Sequence, residues 1–151
     1  MTSMTNTLPY RHTQIGYTIL AALFGGAFIM GLSTIFTKGS LLHLFLLFVF
    51  IASSALFGSL KVTVDETSVR LKFGIGVIRK TILLSDVHSC AKIRNNALCG
   101  WGIRYIGNGW MYNVSGFDAV ELSLKNGRRF RIGTDDADNL LFAIQTKILG
   151  S

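Results

Sequence analysis

Two apolar runs near the N-terminus constrain this chain more than anything else in it. They are "IGYTILAALFGGAFIMGLSTIF" (Ile15 to Phe36) and "LLHLFLLFVFIASSALFGSL" (Leu41 to Leu60), and neither contains Asp, Glu, Lys or Arg. A hydrocarbon core about 30 Å thick is crossed by about 20 helical residues rising about 1.5 Å each. Both runs reach that length, so the reading is two transmembrane helices, 15–36 and 41–60, joined by the external turn "TKGS" at 37–40. So short a turn makes the pair an antiparallel hairpin. Small residues four apart, Ala22 and Gly26, Ala27 and Gly31, Ser54 and Gly58, would let the backbones approach. A cleaved signal peptide competes for the first run, with Arg11 as its basic start. Against it, the 22 uncharged residues exceed a signal core, and no small-x-small cleavage site leads into a polar mature start.

Charge sets the expected orientation. Arg11 precedes the first run, and Lys61, Arg70, Lys72, Arg79 and Lys80 follow the second, against Lys38 alone in the turn. The positive-inside rule then puts both ends in the cytoplasm, giving a multi-pass inner-membrane protein with a cytoplasmic tail, 1–14, and a cytoplasmic domain, 61–151. His43 lies just inside the second run and reads as an interfacial histidine or a proton-relay residue.

From Lys61 onward, 13 Lys or Arg face 8 Asp or Glu, a net +5. This suits a domain held against an anionic leaflet. With no basic helix or clustered stripe, nucleic acid is not the expected partner. Cys90 and Cys99 form no CxxC, and His88 with Cys90 supplies two of the four ligands a structural zinc site needs, so neither metal nor cofactor is expected.

Beyond the membrane runs the period shortens to two. "LKVTV" and "SVRLKF" flank the loop "DETS", pairing Val64 with Val69 and Val62 with Leu71, all apolar. In "DAVELSLKNGRRFRIG" a two-residue Asn126-Gly127 turn would set Leu122 against Arg131. A three-residue turn with Gly127 left-handed instead pairs Leu122 with Phe130, Val120 with Ile132 and Glu121 with Arg131. "VIRKTILLSDV" and "VHSCAKIR" read as further strands, the second with Val87, Ala91 and Ile93 on one face. The final segment, about 135–149, changes to a helical period with Leu140, Leu141, Ile144 and Ile148 on one stripe, Thr134 as cap and Gly150 past the stop.

The span from about Gly74 to Ile144, with "GVIRKTILLSDV", "GWGIRYIGNGWMYNVSG" and "AVELSLKNGRRFRIGTDDADNLLFAI", resembles bacterial pleckstrin-homology-like (PH-like) proteins that carry a membrane hairpin ahead of the domain. "GWGIR" followed by "YNVSG" is the most specific element of the resemblance. It implies seven strands in two nearly orthogonal sheets with a C-terminal helix, in a family largely without assigned activity. Leu83 of "ILL" stands where that pattern has proline, and eight candidate strands are counted rather than seven. The expected fold is therefore two transmembrane α-helices followed by a mainly-β PH-like domain, a small barrel of about seven antiparallel strands with a C-terminal capping helix.

Catalysis has little to build on. There is no GxSxG or HExxH, and "GIG" (Gly74 to Gly76) fits no phosphate loop. Asp86, His88 and Cys90 fall on one strand face, a formal Cys-His-Asp set. A binding or scaffolding role is expected instead, with a protein partner or a second copy meeting Trp101, Arg104, Tyr105, Trp110, Tyr112 and Asn113. Anionic lipid headgroups meeting Arg70, Lys72, Arg79 and Lys80 are the alternative. An Asn108-Gly109 turn would pair Gly107 with Trp110, Tyr105 with Tyr112 and Ile103 with Val114. Trp101, Ile103, Tyr105, Trp110, Tyr112 and Val114 then share one face, and Arg104, Ile106, Met111 and Asn113 the other.

Overall fold

The chain was analysed as a computed structural model that describes residues 9–96 and 100–150. Strand β1 (Tyr10–Ile15) leads into helix α1 (Tyr17–Phe36), helix α2 (Leu41–Phe57) returns, and β2 (Ser59–Val64) pairs antiparallel with β1 from Tyr10↔Val64 to Ile15↔Ser59. Gly16 is the only residue between β1 and α1, and Gly58 the only one between α2 and β2; the Gly16 amide donates to the Gly58 carbonyl at 2.9 Å. The two helices are thus a direct extension of a β-hairpin, entered and left at one place. Gln14, buried on β1, donates to the Ser115 carbonyl at 3.0 Å and so ties this unit to the rest of the domain.

The expectation of two transmembrane helices is not upheld. The second apolar run divides: α2 has 17 residues, and Ser59 and Leu60 belong to β2, where Leu60 is fully buried in the β core. Pairing with β1, Ile15↔Ser59 and Gln14↔Leu60, draws these residues out of the helix, leaving α2 about 25 Å long. Among the described residues one helix, α1 with 20 residues, is long and apolar enough to cross a membrane, a test that a signal sequence also passes. The multi-pass topology, and the orientation built on it, loses its basis.

Among the described residues nine strands form two sheets. The first runs β1-β2-β3-β4, with β3 at Ser68–Phe73 and β4 at Arg79–Leu83; the second runs β5-β8-β9-β7-β6, with β5 at Val87–Arg94, β6 at Gly102–Tyr105, β7 at Gly109–Asn113, β8 at Asp118–Leu124 and β9 at Arg129–Gly133. Among the described residues no pairing joins the sheets, so the expected closed barrel is not formed. Nor are all strands antiparallel, because β7 lies parallel to β9. The tail expected at 1–14 contributes β1. The "DETS" hairpin has the expected register, Val64↔Val69 and Val62↔Leu71. So does the bulged turn, with Leu122↔Phe130 and Gly127 at φ 81.

The core lies between the sheets. Leu60, Val62, Leu71 and Phe73 meet Tyr112, Val120, Leu122 and Ile132, and α3 (Ala137–Leu149) closes one end with Leu140 and Ile144. On α3, Thr134 does not cap through its own position: Asp136 is the N-cap residue, and its amide donates to the Thr134 hydroxyl at 3.0 Å. On β5 a bulge between Val87 and Ser89 shifts the register, so Val87 faces the core while Ala91 and Ile93 pair with Glu121 and Ala119 on the outer face. The expected Val87-Ala91-Ile93 line is therefore broken by one inserted residue.

Candidate functional site

The outer face of the first sheet is built by strand parity. Since Leu60, Val62, Leu71 and Phe73 turn inward, Lys61, Thr63, Arg70 and Lys72 turn outward. Register then aligns two rows across four strands. One reads Arg11-Thr63-Arg70-Thr81; the other reads Thr13-Lys61-Lys72-Arg79. The cations of both rows line a single shallow groove of ≈ 290 Å³. Directly opposed like charges on neighbouring strands repel, and three abreast do so twice. Arg70 is relieved by Asp65 at 2.9 Å, whereas among the described residues no carboxylate lies within ion-pair distance of Arg11, Lys61, Lys72 or Arg79.

The same row adjoins the apolar helices. After β3 the chain turns back on the end of α2: Gly74 donates to the Ser59 carbonyl at 2.8 Å and Ile75 to the Ala55 carbonyl at 3.2 Å. Ile75 and Val77 project from this loop 68% and 70% exposed, while Arg79 Nε donates to the Gly76 carbonyl at 2.6 Å. Cations and bare apolar side chains thus occur together at the level where the helical hairpin ends. Both helices are themselves lined with exposed Phe, Ile and Leu and bury no residue, except that Gly26 leaves room for the Phe50 ring.

Of the expected basic set, Arg70, Lys72 and Arg79 come together and Lys80 does not. Parity on β4 turns Lys80 inward opposite Leu71, and its ammonium lies 5.3 Å over the Phe130 ring. Arg11 and Lys61 complete the face. Arg11 escaped sequence reading because β1, "YRHTQI", alternates between polar residues and leaves no hydrophobic period.

The Gly100 to Gly116 stretch is a hairpin with the expected faces and a different register. Tyr105 pairs with Trp110 and Ile103 with Tyr112, so the turn is Gly107-Asn108, one residue earlier than expected on each side. Gly107 sits at φ 90 and Asn108 is not left-handed, the pattern of a II′ turn. Gly109 is needed within the strand instead, since a Cβ there would overlap the Arg129 carbonyl of parallel β9. The slip of two residues keeps every side chain on its face.

That hairpin separates the expected partner set. Tyr112 is buried, stacked on Phe130 at 6.2 Å, and burial pushes its phenol above the ordinary value. Asn113, 1% exposed, shapes the next turn: Nδ2 donates to the Gly116 carbonyl at 3.2 Å and Oδ1 accepts from the Ser115 amide. Arg104 Nε donates to the Trp101 carbonyl at 3.3 Å, and the guanidinium lies against Gly100, so its polar atoms hold the preceding loop. Trp101 rests against Phe117 at 6.4 Å. Only Tyr105 and Trp110 stand clear, 63% and 44% exposed, packed edge to face at 5.6 Å.

No family model matches the chain, and no curated protein matches it. The site therefore rests on geometry alone. Among the described residues no three His, Cys, Asp or Glu side chains gather as metal ligands. Asp86 lies in a 3-10 turn before β5, and His88 falls at the β5 bulge; no hydrogen bond joins either to Cys90. Burial raises the Cys90 thiol above its usual value, the reverse of an activated nucleophile. Cys99 lies outside the described residues.

Proposed function

We propose that this protein is a membrane-anchored binding module whose first sheet rests its basic outer face on anionic lipid headgroups at the membrane surface. The observation that carries it is the hydrogen bond from Ile75 to the Ala55 carbonyl, which puts the cation row and the apolar loop tip beside the end of apolar helix α2. Helix α1, long and apolar enough to cross a membrane, is the anchor, and lipid covers the apolar side chains it exposes. Ile75 and Val77 dip into the interface, and Lys61, Lys72 and Arg79 meet phosphates just above it. Each basic group near an anionic surface gains about 1 kcal/mol, and headgroup phosphates remove the repulsion along the row. Because single glycines join helices and sheet, the domain is held in one attitude toward the surface.

Cleavage as a signal sequence does not suit α1, since β1 precedes it and pairs along its whole length with β2. Two stacked sheets and a closing helix support a PH-like reading. The parallel β7-β9 pair and the added β1 depart from it.

Hydrogen exchange on the full chain, reconstituted in vesicles of phosphatidylcholine alone or mixed with phosphatidylglycerol, tests the proposal. Residues 68–81 should exchange more slowly in the anionic vesicles, the protection disappearing at high salt and in a Lys61→Gln, Lys72→Gln, Arg79→Gln variant. Equal exchange in both lipids would overturn it.

A further inference from the structure

A second cavity lies where the start of β4 crosses the far half of the other sheet. It measures ≈ 300 Å³ and is lined by Lys80, Tyr105, Asn108, Trp110, Arg128 and Phe130. Its composition differs from the basic groove: three aromatic rings converge with two cations, where the groove has cations and threonines. Tyr105 and Trp110 meet at 5.6 Å, and Lys80 is drawn over the Phe130 ring at 5.3 Å. The rings are the outward end of the aromatic face that begins in the core with Tyr112, so a flat apolar surface continues from packed interior to open cavity.

The cations lack acids. Glu121 is taken on the opposite face of the sheet by Arg131 at 2.6 Å and Arg129 at 3.4 Å, and among the described residues no carboxylate lies within ion-pair distance of Lys80 or Arg128. Arg128 is carried by the β8-β9 turn, where its amide donates to Asn126 Oδ1 at 3.0 Å and leaves the guanidinium outside the sheet. A ring surface with two adjacent cations selects a ligand that is both flat and negatively charged. Lipid headgroups have the charge without the ring.

We propose that this cavity binds a small planar anion, an aromatic or heteroaromatic carboxylate, its ring against Trp110 and Tyr105 and its carboxylate between Lys80 and Arg128. The size suits one or two fused rings, at the small end of ligand pockets. Ring and carboxylate occur together in a free aromatic acid or in an aromatic residue ending a peptide. Lys80 comes from β4 of the lipid-facing sheet but from its inward face, away from the basic groove, so either assignment can fail alone.

Calorimetric titration of the full chain in detergent micelles with quinoline-2-carboxylate, and in a second arm with Gly-Gly-Phe, tests it. Saturable binding of one or both acids is expected, and which one binds tells the free acid from the peptide terminus. The comparators that lack the carboxylate, quinoline-2-carboxamide and Gly-Gly-Phe amide, should bind at least about tenfold more weakly, about 1.4 kcal/mol. A Lys80→Gln, Arg128→Gln variant should lose this preference while its melting temperature stays within that of an ordinary surface change. Trp110→Leu should weaken acid and amide alike. Absence of saturable binding in both arms, equal affinity for acid and amide, or an unaltered preference in the double variant would overturn the assignment.

Discussion

Asp65 Oδ1 accepts the Ser68 amide at 2.8 Å, and with it closes the four-residue turn between β2 and β3. The same oxygen takes the Ser68 hydroxyl at 3.0 Å and the Thr67 amide at 3.2 Å, while Oδ2 meets Arg70 at 2.9 Å. Desolvation acts to raise the Asp65 carboxyl, but these donors and Arg70 outweigh it and hold the group below its ordinary 3.8. A depressed carboxyl stabilises the fold above its unfolded pKa and ceases to do so as pH falls through the folded value. The contribution should therefore be complete above about pH 5 and disappear on acidification below about pH 4. Asp65→Ala should cost about 1–2 kcal/mol at neutral pH and flatten that part of the pH dependence, measured by denaturation in micelles.

Two glycines of one hairpin should respond unequally to alanine. Gly107→Ala meets open space and pays only for its left-handed backbone, about 1–2 kcal/mol. Gly109→Ala drives a Cβ into the Arg129 carbonyl and must part β7 from β9, a cost of about 3 kcal/mol or more. Thermal melts rank the two, and a larger loss at Gly107 would contradict the parallel pairing.

Lys61 stands at one end of the row of three cations, where its one charged neighbour, Lys72, repels it. In neutral detergent Lys61→Thr should stabilise the chain by about 0.2–1 kcal/mol, through relief of the Lys72 contact and better strand preference. In vesicles containing phosphatidylglycerol the same change should reduce protection of the sheet. Opposite signs in the two media are the expected outcome, and stabilisation in both would speak against headgroup contact.

Cys90 should react slowly with iodoacetamide. Burial raises its thiol, so less thiolate is present at neutral pH than for a free cysteine. In a Cys99→Ser background the alkylation rate should fall several-fold below that of a small free thiol and recover on unfolding.

Much of the β domain was legible in short stretches. In the "DETS" hairpin and in the bulged Lys125-Asn126-Gly127 turn, only one loop length sets apolar residues opposite apolar residues, so register follows from local pattern. The Gly100 to Gly116 hairpin shows the limit of that method. Either turn places the same residues on the same face, and the choice between them was made by β9, whose backbone admits only glycine at position 109. Of the candidate site residues, Arg70, Lys72 and Arg79 were readable from alternation. Lys80, next to Arg79, was misplaced because adjacent strand residues face opposite ways, and Arg128 gave no signal in a turn that reads as solvent-exposed.

What the sequence by itself determined was local: an apolar pair of helices, strand faces set by a period of two, a bulged turn chosen by matching side chains, and an amphipathic final helix. These follow from interactions between residues near in the chain. The tertiary structure decided what depends on distant partners. It drew Leu60 from the membrane run into the β core, made a strand of polar residues 10–15 by giving them β2 to pair with, and left the sheets unclosed. It also set Lys61, Lys72 and Arg79 side by side at the end of α2. Charges separated by 11 and 7 positions along the chain became neighbours only through strand register, and register across three strands is a property of the whole sheet.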